Sequence, residues 1–186
     1  GMGKSTSMRT FAHCALLSQI LGIAPAASCT ITPFEQYITY MNVSDAPDSL
    51  LSLFQHELKL IKEVLGTLKH STVSTFLLID EPAKGSVPEM TKKAVDALLR
   101  ELVHAKNVVG FVATHCAHAI AIAKEFPNVY SPFQVTFTFN TNKQGEPEIS
   151  PTFRLLKGAA EDWFNSPLLQ QAVMKGLGLE EAAAKN

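Results

Sequence analysis

Thr75-Phe76-Leu77-Leu78-Ile79-Asp80-Glu81 is the stretch that decides the fold. Phe76 to Ile79 is an unbroken apolar run of strand length, closed by two carboxylates and Pro82. Such a run fits a strand buried on both faces, the situation of a strand inside a parallel sheet. Parallel sheets place their ligand crevices outside the carboxyl ends of the strands. Asp80 and Glu81 therefore read either as a solvated acidic turn or as a pair of working acids.

The chain's opening favours the second reading. Gly1-Met2-Gly3-Lys4-Ser5-Thr6 carries the last part of the phosphate-loop pattern G-x-x-x-x-G-K-[ST]. A helical pattern starts at once, with Met8, Phe11, Ala12, Ala15, Leu16 and Ile20 at helical spacing, and Gly22 and Pro25 end it. Backbone N–H groups at a helix N-terminus, with a lysine beside them, stabilise phosphate oxygens, and a following serine hydroxyl is placed to ligate Mg2+. The first glycine of that pattern and the strand that presents it are not in the sequence. Ala113-Thr114-His115 closes the next apolar strand, where a Thr-His pair can sense a phosphate or orient water.

Working outward, strands are expected at 34–41, 74–79 and 107–114, and helices at 49–69, 89–105 and 115–126. Strand and helix in alternation predict a parallel α/β sheet. After Asn128 the pattern changes. Residues 134–139 and 148–155 alternate in period two around a polar turn, which predicts an antiparallel hairpin at the edge of the sheet. A linker at 157–163 and an amphipathic helix at 166–176 complete the chain. The expected fold is α/β and P-loop NTPase-like: a mainly parallel sheet flanked by helices, with an antiparallel C-terminal hairpin and a C-terminal helix. Residues 1–158 form the expected nucleotide domain without its first strand, and 159–186 a helical segment.

Composition narrows the class. The chain has 186 residues and a net charge of −1, so no basic footprint for nucleic acid shows in the whole-chain balance. Three scattered cysteines, Cys14, Cys29 and Cys116, fit reduced thiols rather than a disulfide framework or a zinc site. No apolar run reaches membrane-spanning length, so a cytoplasmic, nuclear or nucleoid-associated protein is expected.

Together these pieces resemble the ATPase domain of the MutS family of mismatch-repair proteins, over nearly the whole chain. The resemblance is carried by Met2-Gly3-Lys4-Ser5-Thr6-Ser7-Met8-Arg9 at the phosphate loop, Gly22-Ile23-Ala24-Pro25-Ala26, and Ser52-Leu53-Phe54-Gln55-His56-Glu57. It continues through Asp80-Glu81, the loop Ala83-Lys84-Gly85-Ser86-Val87-Pro88, and Ala113-Thr114-His115. It implies ATP and Mg2+ as cofactors. Gly3, Lys4, Ser5 and Thr6 would hold the phosphates, Ser5 and Asp80 the Mg2+, and Glu81 would be the catalytic carboxylate with His115 as the switch histidine. Phe153 would stack on adenine, and Ser86 would reach the nucleotide of a partner subunit. The implied partners are a second copy or a MutS-like subunit, and DNA reached through upstream regions outside this sequence. Val87 and Pro88 replace hydroxyl residues of the family pattern. Two readings follow: an ATPase that switches a dimeric DNA clamp, or a truncated domain that no longer hydrolyses ATP and serves as a dimerisation module. A transporter or SMC-type ATPase would carry a Ser/Gly-rich signature before Asp80, and none stands between Lys59 and Ser74.

Overall fold

The structure, a computed structural model, describes residues 3–41, 50–141 and 147–158. The described elements run α1 (Lys4–Leu21), β1 (Gln36–Tyr40), α2 (Leu50–His70), β2 (Thr75–Asp80), α3 (Pro88–Leu102), β3 (Val108–Ala113), α4 (His118–Glu125), β4 (Phe133–Thr141) and β5 (Pro147–Lys157). They fall into two units, one of Lys4–Tyr130 and one holding Gly3 and the β4–β5 hairpin.

The first unit is built on a parallel sheet in the order β1-β2-β3. β2 lies in the middle, pairing Gln36 with Thr75 on one side and Thr75 with Val108 on the other. All six residues of β2 are buried, as its apolar run predicts. The period of two sorts its side chains between two cores. Leu77 and Ile79 join Ile61 and Leu68 of α2, Val95, Leu98, Leu99 and Leu102 of α3, and Ile122 of α4. Phe76 and Leu78 join Met8 of α1 and Ala113. So α2, α3 and α4 cover one face and α1 the other.

The α1 face is aromatic. Phe11 stacks on Phe111 with ring centroids 4.7 Å apart, and Phe76 touches Phe34 at 5.1 Å and Phe111 at 6.2 Å. Offset and tilted ring pairs of this kind add to the burial term. On the other face α3 turns Val95, Leu98, Leu99 and Leu102 inward at helical spacing. Its first residue is Pro88, whose fixed φ and missing N–H suit a first helical position. Gly110 permits a close approach in the sheet, since a Cβ there would lie 2.0 Å from the Leu77 carbonyl oxygen.

Two expectations change. The helix expected from 115 begins at His118. The Thr114 hydroxyl accepts the Cys116 N–H at 3.0 Å, a side-chain turn that keeps 114–117 out of the helix. The hairpin is antiparallel as expected but forms its own two-stranded sheet, and no described strand hydrogen-bonds it to the parallel sheet. Alternation in β4 and β5 shows that two strands pair; it does not show what lies beside them.

The hairpin carries an irregularity. Val135 pairs with Leu155 and Phe137 with Pro151, so three residues of β5 oppose Thr136 alone. Phe153 sits within this bulge at φ 55°, is exposed, and is one of four described non-glycine residues with positive φ. The Thr136 and Thr152 hydroxyls are hydrogen-bonded across the bulge. Gly3, at φ 86°, belongs to the same unit, and a Cβ there would come within 3.3 Å of the Phe153 ring. The helix expected at 166–176, the segment 159–186 and the polar turn of the hairpin lie outside the described residues.

Candidate active site

Three of the sequence-predicted residues meet at the carboxyl end of the sheet. Lys4 is the first residue of α1, Glu81 follows the last residue of β2, and His115 lies two residues past the end of β3. The Lys4 Nζ is 3.3 Å from Glu81 Oε1 and 2.8 Å from His115 Nε2. Glu81 Oε2 accepts the His115 backbone N–H at 3.1 Å.

The backbone aims Glu81. Its N–H donates to the Ala113 carbonyl at 2.8 Å, extending the β2–β3 ladder by one step. Its φ then swings to 50°, a left-handed conformation that L side chains rarely adopt. The chain turns sharply there and the carboxylate points back across the end of β3. Such a conformation costs about 1–2 kcal/mol and persists where the surroundings hold it.

The Lys4 Nζ faces both ring nitrogens of His115, 2.8 Å from Nε2 and 3.2 Å from Nδ1. His115 Nε2 also lies 3.2 Å from Glu81 Oε1. The ammonium therefore contacts the imidazole and the carboxylate together. A part-exposed contact of this kind is worth about 1 kcal/mol or less. A multiply charged anion would compete for Lys4 effectively.

Asp80 is buried, and its Oδ1 has no hydrogen-bond partner. A buried carboxylate oxygen left unpaired is costly and calls for a cation or a donor. Ser5 is half-buried in the first turn of α1, and that turn holds no acidic residue to repel an anion. Thr6 is exposed, and its carbonyl accepts the Thr10 hydroxyl. Among the described residues no three His, Cys, Asp or Glu side chains group as a metal cage. The orphaned Asp80 carboxylate oxygen suits a hard cation such as Mg2+, which binds through one or two carboxylates and takes the rest from phosphate and water.

A cavity of about 670 Å³ opens beside this cluster between the loop after β2 and the turn after β3. Glu81, Lys84, Ser86, Thr114 and His115 line it. Thus Ser86 is brought to the same cavity as Glu81 and His115. Phe153 belongs to the other unit.

One network at the cavity's rim escaped sequence reasoning. His118 Nε2 lies 2.9 Å from Asp96 Oδ1, Arg100 Nε donates to Asp96 Oδ2 at 3.2 Å, and both Arg100 amino groups donate to Glu125 at 2.7 Å. The hydrogen bond from His118, and then Arg100, holds the Asp96 carboxyl below its usual range; the Arg100 hydrogen bond does the same to Glu125. The i,i+4 spacing of Asp96 and Arg100 was the visible signal; the link to α4 is tertiary.

Comparison with known proteins places the sequence in a family. The sequence matches MutS domain V over residues 1–173. It is 26% identical to DNA mismatch repair protein Msh3 of Dictyostelium discoideum, over 97% of this chain and 13% of that protein. It is 29% identical to MutS protein homolog 4 of Homo sapiens, over 86% of this chain and 17% of that protein. Against DNA mismatch repair protein MutS of Haloquadratum walsbyi it is 25% identical, over 97% of this chain and 19% of that protein. The chain spans less than a fifth of the length of these relatives. A match that leaves only the last residues uncovered settles the ancestry: the chain belongs to the MutS domain V family.

Proposed function

We propose that this chain is the ATP-binding and ATP-hydrolysing domain of a MutS-like DNA mismatch-repair protein. The observation that carries this reading is the meeting of Lys4, Glu81 and His115 at the carboxyl end of the sheet. Lys4 takes the β- and γ-phosphate oxygens, with the backbone of Gly3 to Thr6 cradling the chain of phosphates. Ser5 and Asp80 hold Mg2+, which when bound neutralises charge on the phosphate oxygens. Phe153 serves as the adenine platform, and Ser86 reaches toward the nucleotide of a partner subunit.

The chemistry assigned to the chain's own residues follows from the contacts. Phosphate draws the Lys4 ammonium away from Glu81 and His115. Glu81 Oε1 is then free to accept a proton from water. The water oxygen forms a bond to the γ-phosphorus, the bond to the β–γ bridging oxygen breaks, and ADP leaves with that electron pair. His115, freed at Nε2, stands as donor or acceptor beside the γ-phosphate. In the parent protein this cycle would switch a dimeric clamp on DNA, held through regions outside this sequence, in the cytoplasm or nucleus.

The test is Glu81→Gln, assayed for phosphate release and for binding of a fluorescent ATP analogue with Mg2+. Turnover is expected to fall at least about 100-fold with binding intact; unchanged turnover refutes the assignment.

A second reading rests on the outer edge of β3, which pairs with no described strand. In this reading that edge is open to a second chain, and the domain serves in dimerisation without hydrolysing ATP. Absence of ATP binding by the unaltered chain, with self-association retained, favours this reading.

A further inference from the structure

Glu57 is a carboxylate in an apolar row. α2 turns Glu57, Ile61, Val64 and Leu68 to one side, and Glu57 is only 3% exposed, as buried as Leu68. A carboxylate in such a place needs a fixed partner. The partner is the Gly85 backbone N–H, 3.2 Å from Oε2 and 3.4 Å from Oε1. Burial still raises the Glu57 pKa above the ordinary value, and the Gly85 hydrogen bond offsets part of that. Tyr40 on β1, His56 on α2 and Lys84 on the loop are the other titratable groups around it.

The contact is tight from both sides. A Cβ on Gly85 would fall 2.5 Å from Leu53 Cδ2 and 3.4 Å from Glu57 Oε2, so a larger residue has to displace Leu53 for the loop to lie this close to α2. From the α3 side the Thr91 hydroxyl donates to the Ala83 carbonyl at 2.9 Å. Ala83 is fully buried at φ 58°. The loop 81–87 is thus held at Ala83 by α3 and at Gly85 by α2, and it carries Glu81 at one end and Ser86 near the other.

We propose that Glu57 is a positioning residue. Its carboxylate clamps the loop 81–87 against α2 and so sets Glu81 and Ser86 on the cavity wall. Glu57 does not line the cavity and acts through the loop backbone, chiefly the Gly85 N–H with that of Lys84 beside it. The functional weight of the clamp rests on the nucleotide reading above; the clamp itself does not.

Limited trypsin digestion without nucleotide, resolved site by site, tests it. Lys84 is exposed and adjoins Gly85, so cleavage after Lys84 reports release of the loop. In Glu57→Ala, cleavage there is expected to rise about tenfold relative to cleavage after Lys92 and Lys106; Glu57→Gln keeps an acceptor oxygen and should stay within about threefold of the unaltered chain. An unchanged rate after Lys84 in Glu57→Ala overturns the proposal. Should Glu57→Ala loosen the whole fold, Gly85→Ala attacks the same contact from the loop. Selective cleavage after Lys84 is expected in it, and a protected Lys84 overturns the clamp. The Gly85 amide resonance gives a readout that packing alone would not move: it should titrate with Glu57 above the ordinary glutamate range and stop doing so in Glu57→Gln. A fixed resonance overturns the hydrogen bond. Separate loss of ATP binding by the unaltered chain would sink the nucleotide reading and leave these outcomes standing.

Discussion

The Lys4 ammonium and His115 Nε2 lie 2.8 Å apart although 111 residues separate them in sequence. Lys4 holds Glu81 at the same time. One cation is therefore engaged with both groups. In the proposed nucleotide reading a bound phosphate has to take Lys4 from both, so that binding and the release of Glu81 would be one event.

Lys4→Ala should weaken ATP binding by about 10- to 100-fold, the worth of a hydrogen bond to a charged group. Titration of a fluorescent ATP analogue checks this. Equal affinity in the variant would mean that Lys4 serves Glu81 and His115 alone.

His115→Ala should weaken binding far less, because it removes a competitor for Lys4 as well as a contact. Affinity is expected to change by no more than about threefold, with the larger loss in turnover. A loss of binding as large as that of Lys4→Ala would place His115 on the phosphate in the ground state.

Glu81→Asn should separate strain from function. Asparagine tolerates the left-handed backbone better than glutamate, so unfolding free energy is expected to hold or rise by about 1 kcal/mol. Turnover should be lost because the shorter amide cannot act as a base. Urea denaturation read beside phosphate release decides it; a clear loss of stability would show that the Lys4 contact outweighs the strain.

Gly110→Ala puts a Cβ 2.0 Å from the Leu77 carbonyl, a backbone atom that cannot turn away. The β2–β3 ladder must shift, at a cost of about 3 kcal/mol or more. Urea midpoints check it, and a midpoint equal to that of the unaltered chain would contradict the register of Leu77 against Gly110.

Glu57 sets a pH dependence with a definite sign. Burial raises its pKa in the folded state above the unfolded value. The folded state therefore holds the proton to higher pH, and the associated stability is full below the ordinary glutamate pKa and lost as pH rises through the folded one. Asp96 and Glu125 run the other way, since their depressed pKa values make acid the destabilising direction. Glu57→Gln should flatten the decline on the neutral side and leave the acid limb unchanged. Denaturation midpoints between pH 4 and 8 measure both limbs.

Much of this was visible in the sequence, for identifiable reasons. The run Phe76 to Ile79 could only be a strand buried on both faces, and α2 and α3 show their apolar rows directly. Glu57 was visible as the one carboxylate in such a row, although not what it holds. Thr114 hid the start of α4, because its side chain competes with the helix for the Cys116 N–H. The bulge at Phe153 was invisible, since alternation assumes one residue opposite each and three stand against Thr136. Lys4, Ser5, Asp80 and Glu81 stood out by type and spacing, whereas Ser86 and Phe153 were named only through the family resemblance. The meeting of Lys4, Glu81 and His115 depends on sheet order, which brings the ends of β2 and β3 side by side.

The outer edge of β3 has a consequence for handling the chain. Val108-Val109-Gly110-Phe111-Val112 carries no charge, Val109 is 59% exposed, and no described strand occupies its free N–H and C=O row. An apolar, uncharged ladder of that kind is a template for another copy's strand. Aggregation of the isolated chain should therefore be seeded at this strand and grow with concentration. A lysine in place of Val109 should suppress it while leaving the two cores intact.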